Sequence, residues 1–197
     1  MSGAMRRIFA MAAAIGSIFT ASNSYADVGT GPYPPEADVL EATNAPALVK
    51  FGEDVVRFSS TPALGGRGVI IEIHRRDAEW ATGTVTLLIG HPSDRWVTTA
   101  TLVIEMKTPQ FEALARQIDA QLRRKEPPLE NAKGEIAVCT DGPGYVTERL
   151  SRGNSQWLSG FCGDHPNNRI AELMAPIAAR SFDRWLPDFI SRASKPH

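Results

Sequence analysis

The shortness of the gaps between the β-rich runs constrains this chain most. Val69 to His74, Thr84 to Ile89 and Trp96 to Met106 are dominated by apolar and β-branched residues, and Val55 to Phe58 offers a shorter strand before them. Turn-forming pieces such as Arg76-Asp77-Ala78-Glu79 and His91-Pro92-Ser93-Asp94 lie between them. A parallel crossover needs about a dozen residues or more, so these strands are expected to run as an antiparallel meander. In the longest run Leu102, Ile104 and Met106 share one face, while Thr99, Thr101, Val103 and Glu105 share the other. That is the alternation of a sheet covered on one side and wet on the other.

Helices are needed to cover the apolar side. Thr108-Pro109 reads as an N-cap followed by proline at the first helical position, and Phe111, Leu114, Ala115, Ile118 and Leu122 recur at helical spacing. Arg123-Arg124-Lys125 then suits a helix C-terminus, and Pro127-Pro128 stops it. A second helix is predicted from about Pro166 to Leu186, carrying Ile170, Leu173, Met174, Ile177, Phe182 and Trp185, with a kink near Pro176 and its end at Pro187.

Between the helices, Tyr145 to Ser151 and Ser155 to Cys162 suggest a hairpin closed at Gly153-Asn154. Such a turn sets Leu150 opposite Trp157 and Val146 opposite Phe161 on a core-facing side, with Tyr145 opposite Cys162 on the other. The expected fold class is α+β: an antiparallel sheet made of two strand groups, with two amphipathic helices packed on one face.

The first 26 residues read as an export signal. Met1 to Arg7 carries two arginines and no acid, Ile8 to Thr20 is apolar or small, and Ser24-Tyr25-Ala26 offers small residues where a signal peptidase reads, placing cleavage before Asp27. The apolar run is shorter than the roughly 20 residues a membrane-spanning helix needs. Arg6-Arg7-Ile8-Phe9 partly resembles a twin-arginine signal, although two arginines also suit the general route. Residues 27–50, punctuated by Gly29, Gly31, Pro32, Pro34, Pro35 and Pro46, are expected to form an extended Pro/Gly-rich arm, either a linker or a strap over a sheet face. Residues 51–197 are expected to form one α+β domain.

Cleavage would leave 171 of the 197 residues, enough for one real core. It would remove two basic residues and no acid, leaving 19 basic against 22 acidic and a net charge of −3. The only basic runs, Arg75-Arg76 and Arg123-Arg124-Lys125, are short, so neither nucleic acid nor an anionic membrane surface is the expected partner.

Cys139 and Cys162 are the only cysteines, and an even pair in an oxidising compartment is expected to form a disulfide worth about 3 kcal/mol. In a flat meander with Glu135 to Thr140 beside Tyr145 to Ser151, the two would stand two strands apart, roughly 9.6 Å, beyond disulfide reach. Either the segments holding Cys139 and Cys162 pair directly, or the thiols stay apart, or, the favoured arrangement, a twist at the Asp141-Gly142-Pro143-Gly144 corner brings them together.

Candidate chemistry is sparse. His74 with Glu72 two residues earlier could form a carboxylate-oriented base, or a solvent-facing polar pair. His91, Ser93 and Asp94 carry the residue types of a hydrolase triad but lie too close in sequence to count as one. Gly65-Gly66-Arg67-Gly68 precedes a strand, not a helix, and so reads as a turn instead of a phosphate loop. The densest polar group runs from Cys162 to Arg169. There Asp164 or an asparagine could cap the helix, His165 with Asp164 could act in catalysis, and Asn167, Asn168 and Arg169 could hold an anion. Trp157, Phe161 and Tyr145 could present an aromatic surface to a partner, with Trp157 and Phe161 expected instead to fill the core, and Trp80 and Trp96 are expected half-exposed near strand ends.

No Gly-x-Ser-x-Gly elbow, His-Glu-x-x-His pair or Walker-type loop occurs, and no motif calls for a metal or cofactor. The expected function is that of a non-catalytic binding or inhibitor-like module, periplasmic or secreted, whose partner is a periplasmic protein or envelope ligand. The alternatives are an envelope assembly or structural protein, and an enzyme with an unfamiliar site near Asp164 and His165.

Overall fold

The structure, a computed structural model, describes residues 27–30, 45, 48, 51, 53–62, 65–90, 96–124, 143–160 and 164–181. Within them the chain forms strands β1 (Asp27–Thr30), β2 (Val55–Pro62), β3 (Gly66–Arg75), β4 (Trp80–Gly90) and β5 (Val97–Lys107). Helix α1 (Thr108–Leu122), strands β6 (Pro143–Ser151) and β7 (Asn154–Ser159) and helix α2 (Pro166–Ser181) follow. All seven strands belong to one antiparallel sheet in the order β1-β7-β6-β2-β3-β4-β5, so the fold is α+β and the strands on either side of α1 share a single sheet.

The short connections between β2, β3, β4 and β5 pair each strand with the next, as the meander requires. β2 lies near the middle, between β3 and β6, and its residues Val55 to Ser60 are buried on both faces. Val56 and Phe58 align with Ile73 and Ile71 across β3, and Ile71 aligns with Val85 across β4. This row joins Phe111, Leu114 and Ile118 of α1 and Ile170 and Met174 of α2 in one continuous buried cluster. Ile104 and Met106 of β5 pack against it, as the alternation in that strand predicts. No helix among the described residues is long and apolar enough to cross a membrane.

Two local expectations are corrected. Helix α1 begins at Thr108, with Lys107 as its N-cap and Pro109 one position later than predicted. The Thr108 hydroxyl is used elsewhere: it donates to the Asp77 carbonyl at 3.0 Å, while the Thr108 N–H donates to the Glu79 carbonyl at 2.9 Å. Thr108 therefore ties the helix start to the β3–β4 turn, and Gln110 Oε1 accepts the Lys107 N–H instead.

The hairpin turn is Arg152-Gly153, not Gly153-Asn154, and it pairs Ser151 with Asn154. Both central residues have positive φ, 50° and 78°, which is the requirement of the tight turn that matches strand twist. Placing glycine second satisfies it. The shift moves Leu150 opposite Ser155 and Trp157 opposite Glu148, although Leu150 and Trp157 keep a common face. That face holds small clusters, Leu48, Val55 and Leu150 with Phe51 and, farther along, Ile70, Leu88 and Trp96, while Tyr145 and Leu158 join the main core.

Within the arm, β1 pairs with β7 and Leu48 is fully buried. α2 continues through Pro176, which is exposed. Met1 to Ala26, His91, Ser93, Asp94, Cys139, Phe161, Cys162, Phe182 and Trp185 lie outside the described residues.

Candidate functional site

Two polar clusters and one open edge are the features from which a function can be built. The first cluster grows from Arg57, a charged residue in the buried centre of β2. Strand register places Glu72 on one side of it and Glu148 on the other. The Arg57 guanidinium donates Nε–H to Glu72 Oε2 at 2.6 Å and an Nη1 hydrogen to Glu148 Oε2 at 3.0 Å. Burying a guanidinium costs several kcal/mol, which only such charge-assisted bonds can offset.

His74 extends the cluster along β3. Its Nε2 lies 2.5 Å from Glu72 Oε1 and its Nδ1 lies 3.0 Å from Glu53 Oε1, so each ring nitrogen meets a carboxylate. The ring also sits edge-on against Phe51, with centroids 4.5 Å apart. His74 and Glu72 are therefore covered, not solvent-facing, because residues just before β2 fold across this part of the sheet. The two carboxyls respond oppositely to one guanidinium. For Glu148, burial outweighs the pull of Arg57, and the charge on Glu72 adds to it, so the carboxyl is held above its usual range. Burial also pushes Glu72 up, but the His74 hydrogen bond and Arg57 together overcome it, and its carboxyl ends below.

The second cluster forms where β7 gives way to α2. His165 Nδ1 accepts the Asn167 N–H at 3.1 Å, capping the helix from its side chain. An imidazole accepts there only when Nδ1 is unprotonated. Burial lowers His165 to about 4, against a smaller opposing pull from a backbone hydrogen bond with Ser159, so the cap persists at neutral pH. Gly160 makes room for the ring: a Cβ there would lie 2.7 Å from His165 Nε2, and its φ of 124° disfavours any side chain.

Asn167 is fully buried. Its Oδ1 accepts from the Thr147 hydroxyl at 2.6 Å, and its Nδ2 donates to the carbonyls of Tyr145, Leu158 and Gly160 at 3.1 Å each. The side chain thus pins α2 to β6 and β7 with every polar atom engaged. Asp164 and Arg169 lie on the surface: Arg124 Nη2 stands 3.3 Å from Asp164, and Arg169 pairs with Glu172 at 3.1 Å. Among the described residues no group of three His, Cys, Asp or Glu side chains is arranged to hold a metal.

The polar residues of the Cys162–Arg169 stretch therefore divide. Asn167 and His165 turn inward, whereas Asp164 and Arg169 lie outward, 4.0 Å from each other. Arg57, Glu148 and Arg149 escape motif-based reasoning altogether. Arg149 is buried on the face opposite Arg57, donating through Nε to Asp119 Oδ1 of α1 at 3.0 Å and through Nη1 to the Val55 carbonyl at 3.2 Å. The signal that reveals such residues is a charge inside an apolar strand run, because it must find its counter-charges across the neighbouring strands.

The open edge is β5. Among the described strands it is terminal, eleven residues long, and one row of its backbone groups lies outside the sheet's pairing. Val103 is 75 % exposed, Val97 58 % and Leu102 39 %. Beside it a cavity of about 550 Å³ opens between the strand and both helices, lined by Leu102, Ile104, Met106, Leu114 and Ile177, with Arg180 at its rim. Of the two tryptophans expected half-exposed, Trp80 is 38 % exposed with the Lys107 ammonium 3.5 Å from its ring centroid, whereas Trp96 is buried against Ile70 and Leu88. No protein-family model, curated protein or solved structure matches the chain.

Proposed function

We propose that this is an exported, non-catalytic binding module that holds a protein partner by accepting an extended segment along the outer edge of β5. The observation that carries it is the contrast in exposure. Among the described residues Glu72, Glu148 and His74 are held in partly or fully buried pairs and His165 caps a helix, while the longer edge strand presents apolar side chains beside a cavity lined largely by apolar residues. Strand addition draws affinity from main-chain hydrogen bonds and specificity from pockets that take alternate side chains. The fitting partner is an extended segment whose apolar residues recur at every second position on the cavity side. Both helices lie on that side of the sheet, so they form the inner wall of the groove.

Export places the meeting in the periplasm or outside the cell. It rests on the leader that ends at Ala26, and in that compartment Cys139 and Cys162 would be joined as a disulfide bracing the β6–β7 hairpin. An assembly or structural role in the envelope would use the same edge. One observation favours an enzyme as the second reading: Glu72 and Glu148 are displaced in opposite senses around one arginine, the pattern of an acid–base pair.

A photo-crosslinking residue placed in turn at Val103, Arg152 and Arg169 tests the role in the cells that make the protein. Adducts concentrated at position 103 support it. Adducts confined to position 169 would move the binding surface to the β7–α2 junction and overturn it.

A further inference from the structure

The strand that β5 accepts is, we infer, β5 of a second copy, so that the protein is a two-fold dimer with one sheet running through both subunits. This rests on the strand-addition role proposed above and names its partner. A two-fold axis perpendicular to the sheet makes the added strand antiparallel and keeps both helix layers on one side. Such pairing must be self-complementary, and β5 is.

With Leu102 on the axis, Leu102 faces its own copy, Ala100 faces Ile104, and Thr101 faces Val103. The first two pairings lie on the cavity side, where Ile104 and Ala100 already pack against the main core. They would lay apolar side chains across the open mouth of the cavity from the partner's strand. The third brings together a β-branched pair on the other face, where Val103 is otherwise 75 % exposed.

The ends of the strand are compatible with this register. A β-bulge interrupts the pairing opposite Leu87 and Leu88, near Thr99, and Glu105 and Lys107 occupy the other end. In the register centred on Leu102, Glu105 meets Thr99 and Lys107 meets Val97, so no like charges oppose each other. Bulges and charges are the devices that protect an edge from indiscriminate pairing. Here they fence off both ends and leave Ala100 to Ile104 open to a partner strand.

Mass measurement of the intact protein by light scattering across a concentration series tests this, together with substitutions at the axis. The wild type is expected at twice the monomer mass. Leu102→Lys sets two ammonium groups against each other and should weaken association by about a hundredfold or more. Mixing Leu102→Lys with Leu102→Glu should restore the dimer, a rescue that misfolding of either variant could not produce. Leu102→Cys should form a covalent dimer absent from the wild type, because directly opposed residues stand about 4.5–5.5 Å apart at Cα, within disulfide reach. A wild type that stays monomeric, or a Leu102→Lys variant that dimerises as the wild type does, overturns the inference. A monomer that still forms adducts with another protein at position 103 would leave the binding role standing and remove only the second copy as its partner.

Discussion

The middle of the sheet and its β5 edge are built from similar residues and put to opposite uses. In β2 a charged side chain is enclosed, and each of its carboxylate partners is held by strand register. In β5 the apolar residues Val97, Leu102 and Val103 are left toward solvent. Buried ion pairs contribute little net stability but cost heavily when broken, which makes the centre intolerant of change and suited to fixing one arrangement of strands. An exposed edge has the reverse character: its residues can be altered at little cost to the fold, so their pattern is free to serve recognition.

The contrast breaks most sharply at Arg57. Arg57→Ala strands Glu72 and Glu148 without their counter-charge and should cost about 3–5 kcal/mol in denaturant unfolding, or prevent folding outright. A loss under about 1 kcal/mol would mean that the centre is not the sealed element described.

The next effect is one of pH. His165 is depressed from 6.5 to about 4 in the fold, so the unfolded chain binds the extra proton first as pH falls. Stability from this group is complete above about 6.5 and is lost progressively down to about 4, on the order of 3 kcal/mol over the window. His165→Asn retains an acceptor for the helix N-terminus without titrating. It should flatten that limb of the stability–pH curve, measured by thermal melts between pH 4 and 7. An unchanged limb would mean that the ring is solvated.

A smaller effect separates the two carboxylates. Glu148 is raised in the fold, so its favourable contribution is full below about 4.5 and is lost as pH rises through its folded value. Glu148→Gln should therefore change stability at neutral pH by only about 1 kcal/mol, and compare less well with the wild type as pH falls toward 4.5. If the second, enzymatic reading holds, the same variant would abolish a hydrolytic or transfer activity with the fold intact.

The smallest effect is expected at the edge, where Val103→Ser should alter stability by no more than about 0.5 kcal/mol in denaturant unfolding. A larger loss would show that Val103 belongs to the core.

The meander was legible because its connectors admit no crossover, and α1 because Phe111, Leu114, Ala115, Ile118 and Leu122 keep one period without interruption. The turn at Arg152-Gly153 lies one residue before the glycine-asparagine pair that the sequence offers, and only the positive φ values of Arg152 and Gly153 place it there. His165 and Asn167 stood out as polar residues at a helix start, yet sequence alone could not show that they point inward. That depends on β6 and β7 offering carbonyls at the right height, from residues 22 and 9 positions away. The Arg57 cluster was harder still. Its partners lie 15 and 91 residues away, and only sheet order brings them together.

Hydrogen exchange compares the two regions in one experiment, on the associated protein and again after dilution has separated it. Amides of 97–107 should lose protection on dilution while those of 55–62 and 164–181 keep theirs, which would establish β5 as the surface of association. Protection lost at 164–169 with 97–107 unchanged would contradict that assignment and place the function at the β7–α2 junction.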